Sequence, residues 1–141
     1  MKVLLLNGSP RKEGCTFTAL SEVAKALNHN GIDTEIFQAG NPDTDNVKAA
    51  AAKLKEADAL IVGSPVYWAS PSGQIIEFMD KLCSMAGKDM LHKPAAAVAS
   101  ARRAGTTATL DVLQKYFSYH EMPVVSDEGE LLSPSSLIPP V

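Results

Sequence analysis

Two cysteines in 141 residues, Cys15 and Cys83, are too few and too far apart for a disulfide framework, a zinc site or a cysteine-ligated cluster. A basic excess is missing as well. Thirteen Lys and Arg stand against 16 Asp and Glu, a net charge of −3, which excludes the electrostatic footprint of a nucleic-acid binder. No stretch approaches the ~18 consecutive apolar residues of a membrane span. The run Val3–Leu6 behind Met1-Lys2 is too short for a signal-peptide core and has no cleavage site after it. The common phosphate loops are also absent. G-x-G-x-x-G does not occur, and a nucleotide-triphosphatase loop fails on spacing: five residues separate Gly8 from Gly14, and Cys15 stands where the lysine belongs. A cysteine phosphatase needs an arginine closing the loop after its Cys, and Thr16–Val23 has none. His29, His92 and His120 show no ligand spacing and read as surface residues, so no metal is expected. The low Cys content fits a reducing compartment, and a cytoplasmic setting is expected.

What the chain does have is an alternation of two periods. It is 45% apolar, ordinary for a globular chain, and its length suits one domain. Lys2–Leu6 is a continuous apolar run ending at Asn7-Gly8, the pattern of a strand buried on both faces. Leu20, Val23, Ala24 and Leu27 mark a helix from Thr16 to Asn30-Gly31. Thr34–Phe37 reads as a second strand, and an Ala-rich helix from Val47 to about Ala57 follows, capped by Asp45 or Asn46. Ala59–Val62 is a third strand, closed by Gly63-Ser64-Pro65, and Ile75, Phe78, Met79 and Leu82 have helical spacing. Ala95–Ala99 reads as a fourth strand, Leu110, Leu113 and Phe117 as a fourth helix, and Pro123–Val125 as a fifth strand. Such alternation predicts an α/β fold: a doubly wound parallel sheet with helices on both faces. Ser126–Val141 has no helical stripe and reads as an irregular tail behind a domain of residues 1–125.

Ligands of such sheets bind beyond the carboxyl ends of the strands. The loops after strands one, three and four are rich in Gly, Ser, Thr and Pro, which points to one site built from three loops. In the first, Asn7–Thr16, a buried strand enters a helix, so free N–H groups and the helix dipole favour an anion. Ser9 and Thr16 add hydroxyls, Arg11 a planar cation, and Gly8 and Gly14 close backbone approach. The bland alternative is a strand–turn–helix junction with Thr16 as N-cap. In the second loop, Gly63–Gly73, two prolines stiffen a segment presenting Tyr67 and Trp68, either as one wall of a flat-ring pocket or as cover at the sheet end or a subunit interface. The third, Ser100–Thr107, carries Arg102 and Arg103, of which one is read as a solvated surface charge. Cys15, at a helix N-terminus, is read as a small filler beside the phosphate rather than a redox thiol.

Gly8-Ser9-Pro10-Arg11 with Gly14-x-Thr16, Gly63-Ser64-Pro65-Val66-Tyr67-Trp68 and Ser100–Thr107 together resemble the NADPH-dependent FMN reductase-like family, from about Lys2 to Val125. The resemblance implies a flavodoxin-like three-layer α/β/α fold with strand order 2-1-3-4-5. It implies FMN as cofactor, NADPH or NADH as reductant, and a small-molecule electron acceptor such as a quinone or flavin. A flavodoxin-like electron carrier is the alternative; Arg11 and the mild charge favour the reductase. By the resemblance Ser9, Arg11, Cys15, Thr16 and Phe17 hold the FMN phosphate, Pro65, Val66, Tyr67 and Trp68 border the isoalloxazine, and Ser100, Arg102 and Gly105 lie on its other side. The family's usual Asn is Cys15 here, so only its backbone N–H contact carries over. The iron–sulfur branch has a compact run of cysteines that this chain lacks, so no cluster is expected. The flavin carries the chemistry, and no catalytic acid–base pair is expected. A homodimer or tetramer is expected, with Trp68 and the helix after Gly73 near the interface. Relatives continue past strand five into another helix; here that helix reads as missing. The bare face is then expected to be covered by a subunit contact or by Leu131–Leu132 and Leu137–Ile138, with stability leaning on FMN and oligomerisation.

Overall fold

Lys2–Asn7 forms β1, and five of its six residues are buried, because neighbours flank it in the sheet and helices cover both its faces. The computed structural model describes residues 1–125. The expected irregular tail, the missing last helix and the covering leucine pairs all lie outside the described residues.

β2 (Asp33–Gln38) pairs parallel with β1 from Lys2↔Asp33 to Asn7↔Gln38. On the other side, β3 (Ala59–Tyr67) pairs parallel from Val3↔Ala59 to Asn7↔Gly63. β5 (Ala95–Ser100) extends the sheet parallel to β3, from Leu60↔Ala95 to Pro65↔Ser100. The fifth position of the expected 2-1-3-4-5 order is a single parallel bridge, Ala95↔Val124. Ala95 N–H donates to Pro123 O and Val125 N–H to Ala95 O, while Pro123 has no N–H to continue the ladder. Pro123–Val125 is therefore a bridge rather than a strand.

Alternation along the strands sorts the core into two faces. Leu4, Leu6, Leu60 and Val62 pack with helices α2 (Thr44–Glu56), α3 (Gly73–Ala86) and α4 (Thr106–Tyr119). Val3, Leu5, Ala59 and Ile61 pack with Leu20 and Ala24 of α1 (Cys15–His29). The cap of α2 is Asp43, not the expected Asp45 or Asn46. Asn46 sits inside the first turn, and its amide donates to Gln38 O and Asn41 O, tying the helix to the end of β2.

The larger difference lies after Val62. Gly63–Tyr67 continues as strand and folds back as the two-residue β4 (Ser70–Pro71), with Val66↔Pro71 and Tyr67↔Ser70 antiparallel. Trp68 and Ala69 form the turn, both at positive φ (54° and 56°). Two-residue hairpins need that backbone and normally advertise it with Asn-Gly or Gly. Trp-Ala carries no such signal.

Candidate functional site at the strand ends

The carboxyl ends of β1, β3 and β5 bring the three predicted loops to one edge of the sheet. Gly8 N–H donates to Gly63 O at 2.8 Å, and Ser72 Oγ donates to Gly8 O at 2.6 Å, locking the first loop to the second. Thr16 Oγ1 and Ser100 Oγ lie 2.9 Å apart, bridging the first loop to the third. A Cβ placed on Gly105 would come within 2.8 Å of both Ala69 Cα and Val66 Cγ1, so the third loop abuts the hairpin tip. Gly105 has φ 95°, a conformation and a clearance that only glycine meets without strain.

Within the first loop, Ser9 is buried, and its Oγ accepts the Arg11 N–H at 3.1 Å. Thr16 is buried inside α1, whose N-cap is Gly14 rather than Thr16, and Phe17 is half-buried. Cys15 is exposed at the helix start. The Arg11 and Arg102 side chains are exposed. Pro65 and Val66 are half-buried, Tyr67 is exposed, and Trp68 is 100% exposed at the hairpin tip.

Three polar residues that sequence reasoning passed over sit beneath the loop. Asn7 and Ser72 are buried and Gln38 half-buried, and all three bond to the loop backbone. Asn7 looked like punctuation at the end of an apolar run. A buried polar residue at a strand's carboxyl end is the signal that would have singled it out. Elsewhere, His29 and His92 are exposed as expected, but His120 is half-buried. Its Nδ1 lies 2.7 Å from Tyr116 O, fixing the ring against α4.

A separate groove between α3 and the C-terminal half of α4 is lined by Asp80, Cys83, Tyr116 and His120. Burial pushes the Cys83 thiol up to about 12, with the Asp80 carboxylate adding to it. Burial, and then the 2.6 Å hydrogen bond to Asp80, likewise raise Tyr116. Both groups stay protonated and unreactive at neutral pH, and the groove lies away from the loop edge.

The first loop fits a phosphate monoester by its backbone alone. Among the described residues, the N–H groups of Lys12, Glu13, Gly14, Cys15, Thr16 and Phe17 meet no protein acceptor, and Arg11 forms no ion pair. Six successive free donors beside a helix start and a guanidinium suit a dianion. The sequence profile of the NADPH-dependent FMN reductase family matches residues 1–131. The chain belongs to that family. An iron–sulfur flavoprotein of Methanocaldococcus jannaschii is 32% identical over 148 aligned residues, covering 90% of this chain and 77% of the relative. An FMN reductase (NADPH) of Escherichia coli is 33% identical over 94 residues, covering 58% of this chain and 48% of the relative. Among solved structures, a flavodoxin from the Archaea superposes with a TM-score of 0.72 at 18% identity, covering 90% of this chain and 80% of that one. That likeness shows the flavodoxin-like fold. This member of the FMN reductase family is thus an oxidoreductase using FMN with NAD(P)H as reductant.

Proposed function

We propose that the chain passes electrons from NAD(P)H through bound FMN to a small-molecule acceptor such as a quinone or a free flavin. The observation that carries this reading is the run of free N–H groups from Lys12 to Phe17 on a three-loop edge, in a chain matched by the family from residue 1 to 131. When bound, FMN supplies hydride acceptance from the nicotinamide and electron return to the acceptor. The chain's own residues bind and orient. Arg11 and the N–H groups as far as Phe17, including that of Cys15, hold the phosphate. Ser9 Oγ accepts from Arg11 N–H and keeps its own proton to donate outward. The Thr16–Ser100 hydroxyl pair uses one proton between the two oxygens and keeps the other for the ligand. Pro65, Val66, Tyr67 and Trp68 border the ring on one side, and Ser100, Arg102 and Gly105 on the other. No side chain serves as a catalytic acid or base in this reading.

Residues 1–125 are the flavin-binding domain in this account, working in the cytoplasm. A homodimer, or a dimer of dimers, buries Trp68, a large apolar side chain that is fully exposed on one copy. Light scattering that returns only a 15.0 kDa particle at micromolar concentration contradicts the dimer. The reaction is tested by oxidation of NADPH and NADH with FMN present across quinones, azo compounds and free flavin. Turnover with at least one acceptor supports the reductase. A bound flavin that neither nucleotide reduces favours the carrier reading instead, as in a flavodoxin.

A further inference from the structure

Four carbonyls of the first loop are held from beneath by three side chains. Gly8 O accepts from Ser72 Oγ at 2.6 Å and Ser9 O from Gln38 Nε2 at 2.8 Å. Arg11 O and Lys12 O accept from Asn7 Nδ2 at 3.3 and 3.1 Å. Asn7 Nδ2 also donates to Gln38 Oε1 at 2.9 Å, and Asn7 Oδ1 accepts the Ser9 N–H at 3.1 Å. These partners fix both amide orientations, since only an oxygen can accept from Ser9 N–H and only a nitrogen can donate to the carbonyls.

In a trans peptide the C=O and the next residue's N–H point in opposite directions. Turning Arg11 O and Lys12 O down onto Asn7 therefore turns the N–H groups of Lys12 and Glu13 away from it. Those two N–H groups are among the donors without a protein acceptor. Gln38 acts on the same unit twice, by holding Ser9 O and by orienting the Asn7 amide.

We propose that Asn7 and Gln38 are positioning residues for the phosphate end of FMN: they touch no ligand, and they preset the loop N–H groups that do. This rests on the reading above that the first loop takes the phosphate. Preorganised donors bind an anion without first reordering the loop, so loss of the underlying bonds weakens phosphate recognition specifically.

The experiment compares Kd for FMN and for riboflavin, which lacks the phosphate, in the intact chain and in Asn7→Ala, Gln38→Met and Arg11→Ala. Each variant's folding is checked by circular dichroism. The preference for FMN over riboflavin is expected to fall about tenfold in Asn7→Ala, the worth of roughly one charge-assisted hydrogen bond. In Gln38→Met it is expected to fall several-fold, with riboflavin affinity unchanged in both. If Asn7→Ala does not fold, Gln38→Met, altered at a half-buried side chain of β2, carries the test. Equal weakening of both flavins, or an unchanged preference, overturns the positioning role. Arg11→Ala separates the two levels. If it lowers the preference while the other two do not, only the positioning role fails; if none of the three lowers it, the phosphate reading fails with it.

Discussion

Gly40 lies where the turn after β2 crosses the first loop, and Gly40→Ala puts the loop's backbone packing to a direct test. A Cβ there would lie 1.9 Å from Ser9 O, 2.5 Å from Ser9 C and 2.9 Å from Gln38 Nε2. Restoring an ordinary C···O separation of about 3.3 Å needs a shift of roughly 1.4 Å. Neither side yields freely. The turn is anchored ahead of Gly40 by Ala39 N–H to Asn7 O at 2.8 Å, and behind it by Asn46 Nδ2 to Asn41 O at 2.7 Å. Moving Ser9 instead stretches its bonds to Gln38 and Asn7. Overpacking of this kind costs about 1–3 kcal/mol, and one lost hydrogen bond adds about 1 kcal/mol. The expected destabilisation of about 2–4 kcal/mol lowers Tm by about 5–15 °C. Calorimetry of the flavin-free protein measures it. Gly73→Ala is the matched control, because a Cβ there meets nothing within 4 Å. A Gly40→Ala protein that melts with the wild type, or no lower than Gly73→Ala, refutes the packing of Ser9 on Gly40.

Arg11→Ala should weaken FMN binding by ~1.5–3 kcal/mol, the range of hydrogen bonds to charged groups, as read by calorimetric titration; unchanged affinity removes Arg11 from the site. Ala69→Gly should raise Tm, gaining about 0.5–1 kcal/mol by relieving a left-handed residue in the hairpin turn (φ 56°), and a lower Tm contradicts that strain. Glu35 is held below the usual glutamate range, chiefly by its hydrogen bond to Lys53 and then by Lys2 at 3.4 Å. Its folded value being depressed, the associated stability is present above its ordinary value of 4.5 and is lost as pH falls through the folded one. Glu35→Gln should therefore cost under about 1 kcal/mol at pH 7 and flatten the acid limb of Tm against pH, whereas an unchanged acid limb rules the pair out as a contributor.

The strand–helix alternation and the loop edge were legible because apolar runs and turn residues write them directly, whereas the strand order came from the family resemblance. Lys2–Leu6 has no alternation, which already marked β1 as a strand buried on both faces. Ser9 and Thr16 drew notice by residue type and Ser100 and Gly105 through the resemblance, and the hydrogen bond between Thr16 and Ser100 and the contact of Gly105 with Ala69 join their loops. What stayed hidden depends on tertiary partners. The hairpin at Trp68-Ala69 lacks turn residues, since its positive φ values are imposed by strand pairing on either side. Asn7, Gln38 and Ser72 look like ordinary polar residues until the fold sets them under the loop carbonyls, 29 and 64 positions away in two of the bonds. Pro123–Val125 is one bridge rather than a strand, and Pro123, with no N–H, cannot extend the ladder on its N-terminal side.

The central claim is that this three-loop edge holds FMN for reduction by a nicotinamide nucleotide. Anaerobic addition of NADPH, and separately NADH, to the protein purified with its own flavin tests it most directly, followed by the loss of the oxidised flavin's visible absorbance. The account predicts complete bleaching by a stoichiometric amount of at least one nucleotide, recovery on adding a quinone, and FMN as the released flavin by mass spectrometry. A protein that binds no FMN, that releases FAD, or whose flavin neither nucleotide bleaches contradicts it.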